Sequence, residues 1–539
     1  MVSLRLYMYI ALPHAFCQGD NFGYFRGNCV MLSCFVRNGA LLLLRMHATD
    51  ATNSCEYLIK PAQTRYSVSV YNQPNTAGNT PLIDDNPTPG SSEQAQHRLN
   101  SFDPCERAQA LCYLAQAEGP RQAEGHSAPR SVNLHYHTFF SYNALGWSPS
   151  AIAWEAHKRG LLAAGIVDFD VLDGMEEFLA AGEILGLRTT AAIETRVFVR
   201  EYLDEVINSP NEPGISYFMA AGCHRTPEPG TPAYDTLRHI RAMAEHRNVR
   251  MMERVNAFLD QVQLDYEADV VPLTPSGNAT ERHLAAAYDA KARQVFADQG
   301  DLAAFWAKSL DIDVDEAESL PADPPRLHEK IRSKLMKYGE VGYVTPAPGS
   351  FPSLEQIIEL ADGIGAIPTA TWLDGTSPGE SDMREMLQLM ASKGVAALNI
   401  IPDRNWNISD PLEKSLKLVK LAEVIEAARE VGFPICVGTE MNKAGQPFVD
   451  DFAAPELAPY IEDFVSGALF FWGHTALARR AGMGYSSDWA RHYFGLERSA
   501  RRDFYTRVGR TISPAEAVLI NANSLRSRTP TEVLRTLQR

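Results

Sequence analysis

The chain has 539 residues, of which 45% are hydrophobic, and its 50 Lys and Arg against 66 Asp and Glu give a formal net charge of -16 at pH 7. This length allows several average domains or one large α/β barrel with insertions. The acidic balance disfavours nucleic acid and anionic lipid as partners. No run of about 20 apolar residues is present to cross a membrane, and no secretory signal is evident. The composition predicts a soluble, cytoplasmic protein and leaves open a small anionic substrate held in a local positive pocket.

Three regions differ in their residue patterns. Residues 1–100 contain short apolar pieces and then, from 72 to 100, many turn-forming residues, which predicts a poorly defined extension and a linker. Residues 101–450 alternate strand and helix patterns, interrupted by a helical insertion at about 204–340. Residues 451–539 predict a C-terminal helical extension that either completes the folded body or mediates self-association.

Strands and helices alternate from residue 131 onward, and capping signals mark where the helices begin and end. Ser148 followed by Pro149 predicts a helix N-terminus, and Gly186 predicts the end of the next helix. After the insertion, Ser353 and Gln356 form a capping-box pattern. Strands are predicted at 131–137, 161–167, 188–193, 366–372, 395–401 and 433–437, and helices at 149–159, 175–185, 234–263, 280–296, 381–393 and 411–431. Such alternation predicts a parallel sheet or barrel with its functional site at the strand ends.

His135 and His137 form the most informative chemical signal. Residues two apart in a strand lie on the same face, so both imidazoles can bind one metal ion. A structural role for the pair is the alternative, because many histidines are simply part of a core or surface. Polar residues also end the next two predicted strands, with Asp168 and Asp170 after one and Glu194 after the other.

Together these residues resemble the motifs of the polymerase and histidinol phosphatase (PHP) superfamily. The matching stretches are His135-Tyr-His137-Thr138 with Ser141, Val167-Asp168-Phe169-Asp170, Ala192-Ile193-Glu194 and Gly438-Thr439-Glu440-Met441-Asn442. The insertion is similar to that of the nucleoside bisphosphate phosphatase branch, at 250–259 and 281–285. The resemblance implies a distorted (β/α)7 TIM-like barrel and a metal-dependent phosphoesterase.

The resemblance also implies which residues hold metal. Members commonly hold up to three ions, and the residues that would serve one of them remain, namely His135, His137, Glu194 and Glu440. Residues expected to serve the others are replaced by Asn143, Phe169, Tyr217, Trp372 and Asn442. The expected cofactor is therefore a divalent ion, Zn, Mn or Fe, and one ion rather than three.

Further roles follow from this reading. Asp168 and Asp170 are expected to handle a proton or to orient a ligand, although both could instead complete turns and helix caps. Arginines bind phosphate well, so Arg196, Arg225, Arg404 and Lys443 are expected to hold an anionic substrate. The predicted function is a metal-dependent hydrolase of a small, phosphorylated or otherwise anionic metabolite. The alternative is a catalytically degenerate barrel that binds a ligand or partner.

Overall fold

The computed structural model describes residues 89–118, 131–346 and 349–538, together with the backbone of five strands between residues 35 and 69. The chain divides into two units, residues 1–123 and 124–539. The first unit contains two antiparallel sheets, β1 with β2 and β3 with β4 and β5. Most of the predicted linker, residues 72–88, lies outside the described residues, and its last part is helical. The elements of this unit are Phe35–Arg37 (β1), Ala40–Leu42 (β2), Arg45–Ala48 (β3), Ser54–Ile59 (β4), Thr64–Ser69 (β5), Ser92–Arg98 (α1) and Pro104–Glu118 (α2).

The second unit is built around a seven-stranded, nearly closed barrel whose strands follow the order β12-β11-β10-β9-β8-β7-β6. Neighbouring strands are parallel except β9, which runs antiparallel to both β8 and β10. A parallel bridge between Tyr136 and Glu440 joins the two edges of the sheet. This arrangement confirms the predicted TIM-like α/β barrel. The strands are Val132–Tyr136 (β6), Ala163–Phe169 (β7), Arg188–Phe198 (β8), Ile215–Ala221 (β9), Ile367–Trp372 (β10), Ala397–Ile400 (β11) and Ile435–Val437 (β12).

Helices surround the barrel, and the predicted caps fix several of their ends. Ser148 accepts a hydrogen bond from the backbone of α3, and Gly186 ends α4 in the left-handed conformation. The capping box of Ser353 and Gln356 is present at the start of α10. The barrel helices are Pro149–Lys158 (α3), Met175–Leu185 (α4), Leu354–Ile364 (α10), Met383–Ser392 (α11), Asp403–Trp406 (α12) and Pro411–Val431 (α13).

The helical insertion has a hydrophobic core of its own, formed by residues such as Val255, Leu284, Trp306, Ile331 and Leu335. It begins after β9, so the first part of the predicted insertion range belongs to the barrel. Its helices are Pro232–Leu259 (α5), Glu281–Val295 (α6), Gln299–Leu310 (α7), Val314–Ser319 (α8) and Pro324–Leu335 (α9).

The C-terminal extension completes the barrel at the N-terminal ends of its parallel strands. The long buried helix α14 crosses this end, where Thr475 contacts Thr190 of β8 at 3.2 Å between hydroxyl oxygens. His474 Nε2 lies 2.9 Å from the carbonyl oxygen of Gly222, and His474 Nδ1 accepts a hydrogen bond from the amide of Tyr485. The helices of the extension are Ile461–Ala481 (α14), Asp488–Phe494 (α15), Arg498–Thr511 (α16), Pro514–Ala517 (α17), Ala522–Leu525 (α18) and Pro530–Leu537 (α19). None of the helices in the described part of the chain has the length and apolarity that a bilayer crossing requires.

Gly438, which directly follows β12, allows the two edges of the barrel to approach each other. A Cβ at this position would overlap the Cβ of His135 and would lie 2.5 Å from Asn133 Oδ1 and 2.6 Å from the His135 amide nitrogen. We therefore expect Gly438→Ala to lower the free energy of unfolding by about 2 kcal/mol, within the range for overpacked sites. Urea unfolding measures this, with Gly300→Ala on the exposed first turn of α7 as the control. A Gly438→Ala protein as stable as the control would contradict the close approach.

Candidate metal centre

Three buried side chains meet at the C-terminal ends of the parallel strands. His135 and His137 come from the end of β6, and Glu194 comes from β8. The two Nε2 atoms lie 3.3 Å apart, and each lies 3.5 Å from Glu194 Oε2. His135 and His137 are fully buried, and Glu194 is 3% exposed. Among the described residues this is the group whose ligand atoms are close enough together to hold a metal ion.

The hydrogen bonds behind His137 fix which of its ring nitrogens carries the proton. Ser141 Oγ donates its hydrogen to Asp168 Oδ1 at 2.7 Å. The same Ser141 Oγ therefore accepts the hydrogen bond from His137 Nδ1, 3.2 Å away. The proton is therefore assigned to Nδ1, and the lone pair of Nε2 faces the other two groups. Metal-binding histidines commonly donate the hydrogen of their other ring nitrogen to a carboxylate, carbonyl or water. Here Ser141 links His137 to the Asp168 carboxylate.

His135 is oriented by an amide rather than by a carboxylate. Its Nδ1 lies 3.1 Å from Asn399 Oδ1 on β11, a strand that β12 separates from β6 in the barrel. Because an amide oxygen only accepts, His135 also carries its proton on Nδ1, and its Nε2 lone pair points at His137 and Glu194. Asn133 lies nearby without joining the site, since its side chain spans to Thr439 and Phe448 across the barrel seam.

The donor set fits a single divalent ion. Two neutral imidazole lone pairs and a carboxylate would repel one another in a buried site unless a cation lay between them. Ligand atoms about 2.0–2.2 Å from a tetrahedral zinc ion are about 3.3–3.6 Å apart, and the observed separations of 3.3, 3.5 and 3.5 Å agree with this. Imidazole with carboxylate is a donor set that zinc, iron and manganese accept.

The electrostatics of the group show how strongly its members interact. Burial favours protonation of Glu194, but the two imidazoles outweigh it and lower the pKa of Glu194 to about 2. Burial lowers the pKa of His135, while Glu194, Glu440 and Asn399 together outweigh it and raise that pKa above 6.5. In the absence of metal, Glu194 therefore favours protonation of His135.

Glu440 lies beside this group and is bound to other partners. Its carboxylate accepts hydrogen bonds from Arg404 Nη2 at 2.8 and 3.1 Å and from Gln446 Nε2 at 3.0 Å. Burial raises its pKa, but Arg404, His135 and His137 outweigh burial and lower it. The structure thus brings together three of the four expected metal ligands and pairs the fourth with an arginine.

The two candidate catalytic aspartates differ in how many of their carboxylate oxygens accept hydrogen bonds. Asp168 is 2% exposed, and both of its oxygens accept hydrogen bonds from the backbone or side chains of Thr138 and Ser141. Among the described residues, the hydrogen-bond partner of the Asp170 carboxyl group is Thr195, which donates to Oδ1 at 2.6 Å. The geometry gives Asp168 the orienting role and leaves Asp170 Oδ2 available for a proton.

Arg196 and Arg247 form a cationic wall on one side of the site. Both guanidinium groups stack on the ring of Phe351, at 4.4 and 4.7 Å from its centroid. Arg196 pairs with Glu212 at 2.8 Å, rather than with Glu194 two residues away. Arg247 has no carboxylate within salt-bridge distance among the described residues. The sequence carried no signal for Arg247, which lies on a long helix where arginines are usually solvated.

The remaining predicted substrate residues lie in different places. Arg404 is at the mouth, where burial lowers its pKa but Glu440, with smaller effects from Tyr217 and Glu194, outweighs burial and raises it. Lys443 is exposed on the loop after β12, and its charge lowers the pKa of Glu329 on α9. Arg225 binds the last carbonyl groups of α10, Gly363 and Ile364, at the far end of the barrel. It follows β9, whose reversed direction carries the chain away from the site.

Aromatic side chains occupy the surroundings of the metal group. The ring of Phe169 stacks on His137, with 4.2 Å between centroids, and Tyr217 lies 6.4 Å further on. Trp372 is fully buried. Asn143, another expected ligand position, donates its amide hydrogen to the carbonyl oxygen of His137 at 2.8 Å. Phe169 and Asn143 thus support His137, the first by ring stacking and the second by a hydrogen bond to its backbone.

We expect Asp168→Asn to weaken the orientation of His137. The amide nitrogen of Asn cannot accept a hydrogen bond, so one of the donors from Thr138 or Ser141 loses its partner. Stability should fall by about 1–3 kcal/mol, and Zn²⁺ affinity should fall about 10–100-fold. Urea unfolding and chelator competition measure the two effects, with Asp488→Asn on exposed α15 as control. Unchanged Zn²⁺ affinity in Asp168→Asn would contradict the orienting role.

Comparisons with known proteins give resemblances in structure. No family model matches the chain, and no curated protein matches it. An amidohydrolase from Chromobacterium violaceum has 15% identity and a TM-score of 0.40, over 62% of this chain and 96% of that one. A protein described as a metal-dependent phosphoesterase, from Bifidobacterium adolescentis, has 18% identity and a TM-score of 0.39, over 62% of this chain and 97% of that one.

Proposed function

We propose that this protein is a metal-dependent hydrolase of the PHP type that acts on a small anionic, phosphorylated metabolite. The observation that carries the proposal is the convergence of two imidazole lone pairs and one carboxylate within 3.5 Å of each other in a buried site. His135, His137 and Glu194 would hold one divalent ion, Zn, Mn or Fe. Such an ion lowers the pKa of a bound water and polarises the bond to be cleaved.

The charges around the site support an anionic substrate. Arg196, Arg247 and Arg404 lie near the metal group, and Lys443 lies on the adjoining loop. Arg247 lacks a carboxylate partner among the described residues, and burial together with its neighbour Arg196 lowers its pKa to about 10. An anion that entered here would supply the missing counter-charge, and guanidinium groups bind phosphate through two parallel hydrogen bonds.

Each residue then has a defined task. Asp170 Oδ2 accepts or returns a proton, and Thr195 holds the carboxyl group in place through Oδ1. Asp170 reaches this position because its backbone adopts a left-handed φ of 61° and its amide bonds to the carbonyl oxygen of Glu194 at 2.9 Å. Asp168 keeps His137 oriented through Ser141. The arginines bind the substrate and neutralise charge as the bond breaks.

We expect Arg247→Gln to raise KM for an anionic substrate about 10-fold while kcat changes less than about 3-fold. The loss of one charge-assisted hydrogen bond is worth roughly 1.5–3 kcal/mol, and Arg196 still provides a second cation. Steady-state kinetics on the best substrate of a panel measure this. Arg254→Gln, at an exposed position seven residues beyond Arg247 on α5, is the control. A fall in kcat at unchanged KM would contradict a role in substrate binding.

A panel experiment tests the function itself. The purified protein is assayed with Zn²⁺, Mn²⁺ and Fe²⁺ on phosphomonoesters, phosphodiesters and amides. Phosphoester hydrolysis that depends on metal and is lost in Glu194→Gln supports the proposal. Metal-dependent cleavage of amides alone would overturn the substrate class, and turnover that persists in Glu194→Gln would overturn the metal mechanism.

A second candidate is a non-catalytic barrel that binds a ligand or partner. The stacking of Phe169 on His137 favours this candidate, because an aromatic ring then occupies a position where the PHP motif has a further metal ligand. Elemental analysis of protein purified without added metal separates the two candidates. Near-stoichiometric Zn, Mn or Fe supports the hydrolase, and protein that neither carries nor takes up metal supports the binder.

A further inference from the structure

The backbone at Glu440 is held in an uncommon conformation. Glu440 and Met441 have φ angles of 65° and 52°, a left-handed region that residues with a Cβ seldom occupy. The backbone cannot relax freely, because the Glu440 amide donates to the carbonyl oxygen of His135 and the His137 amide donates to that of Glu440, both at 2.8 Å. Conformations of this kind persist where the surrounding structure fixes them, often at functional sites. Here the side chain of Glu440 is directed toward the barrel mouth while its backbone stays tied to the two histidines.

Arg404 holds that side chain outside the metal group. A single nitrogen, Nη2, contacts both Glu440 oxygens, at 2.8 and 3.1 Å, and Gln446 Nε2 donates to Oε2 at 3.0 Å. The charges of His135 and His137 are nevertheless near enough to lower the pKa of Glu440. The carboxylate is therefore a neighbour of the metal group that is bound to a different cation.

Arg404 is accessible to ligands from solution. Its side chain is 39% exposed, and the other two guanidinium nitrogens, Nε and Nη1, have no hydrogen-bond partner among the described residues. An anion can approach these nitrogens without first displacing a protein group. An anion bound to the Arg404 guanidinium weakens the electrostatic attraction between Arg404 and Glu440.

We propose that Glu440 is a fourth metal ligand whose carboxylate Arg404 keeps away from the metal, and that an anion bound to Arg404 frees this carboxylate to bind the metal. This inference rests on the proposed metal centre. Arg404 is then a positioning residue, because it acts on the metal through Glu440. The backbone of Glu440 already bonds to those of His135 and His137, so the exchange would be a movement of its side chain. Linkage makes the effect reciprocal, so metal and anion bind more tightly together than apart.

A double-mutant cycle with Co²⁺ as the probe separates this exchange from simple charge repulsion. Wild type, Arg404→Gln, Glu440→Gln and the double variant are titrated with Co²⁺ in competition with a chelator, with and without inorganic sulfate. The d–d absorption of bound Co²⁺ reports its coordination geometry in the same titrations. Arg404→Lys is a further variant that keeps the positive charge and shortens the reach, so it tests the exchange should Arg404→Gln fold poorly.

The exchange predicts a specific pattern. Arg404→Gln should bind Co²⁺ about 10-fold more tightly than wild type, and this gain should fall below about 3-fold in the Glu440→Gln background. Sulfate should tighten Co²⁺ binding to wild type and change its spectrum, without effect on either single variant. An equal gain in Co²⁺ affinity in both backgrounds would show that Arg404 acts by charge repulsion alone. No gain in either background would show that Arg404 does not compete with the metal for Glu440. Either result overturns the inference while the metal centre stands. Failure of every variant to bind Co²⁺ would overturn the metal centre as well.

Discussion

The His135→Ala/His137→Ala double variant should purify without metal, whereas the wild-type protein should carry about one equivalent of Zn, Mn or Fe. Two of the three converging ligand atoms are removed, and even residues that only orient such ligands are worth about 10–100-fold in affinity. We therefore expect the affinity for added Zn²⁺ to fall by more than about 1000-fold. Metal-dependent hydrolysis should fall to background with it.

The control removes the same number of imidazoles from the surface. His239 and His246 are exposed on α5, and the His239→Ala/His246→Ala variant should keep both metal and activity. Elemental analysis and Zn²⁺ titration of the two variants give the comparison, with circular dichroism to verify the fold of each. Retention of one equivalent of metal by a folded His135→Ala/His137→Ala protein would place the binding site elsewhere.

Above about pH 6.5 the metal-free protein should lose stability as pH rises, and the protein with bound metal should not. The raised pKa of His135 makes a contribution that is present below its unfolded value of about 6.5 and is lost as pH rises through its folded value. The contribution of Glu194 is present above 4.5 and is lost as pH falls toward about 2. These two groups therefore stabilise the metal-free protein most between about pH 4.5 and 6.5.

Metal reverses the trend above pH 6.5, because it competes with protons for the same nitrogens. While one proton is released, metal-free stability should fall by about 1.4 kcal/mol per pH unit, and stability with excess Zn²⁺ should hold or rise. Urea unfolding from pH 5 to 8.5, with chelator or with Zn²⁺, measures both curves. In Glu194→Gln the metal-free slope should shrink, since the carboxylate that raises the pKa of His135 is gone. Parallel curves with and without Zn²⁺ would contradict metal binding at this site.

Local signals in the sequence were sufficient to predict most of the barrel elements. Ser148 with Pro149 and the Ser353–Gln356 capping box act within a few residues, so they fix helix starts whatever the tertiary context. The two-residue spacing of His135 and His137 likewise fixes their common face once the strand is known. Their proximity to Glu194 was expected from the order of the motifs, and the structure shows it; metal binding there stays a prediction.

Other features depend on strand direction and on contacts between distant residues. The predicted strands do not include β9, which falls within the predicted insertion, and its antiparallel course carries Arg225 to the far end of the barrel. The pairing of Glu440 with Arg404 joins residues 36 apart, a contact that no periodicity encodes. Arg247 is placed by its stacking on Phe351, the ring that Arg196 of β8 also contacts.

The most direct test of the metal centre is a crystal structure of protein grown with Zn²⁺, with diffraction recorded above and below the zinc absorption edge. We expect one strong anomalous peak within about 2.0–2.2 Å of His135 Nε2, His137 Nε2 and a carboxylate oxygen of Glu194. A zinc-free site between these residues, or zinc bound only elsewhere on the chain, would contradict it.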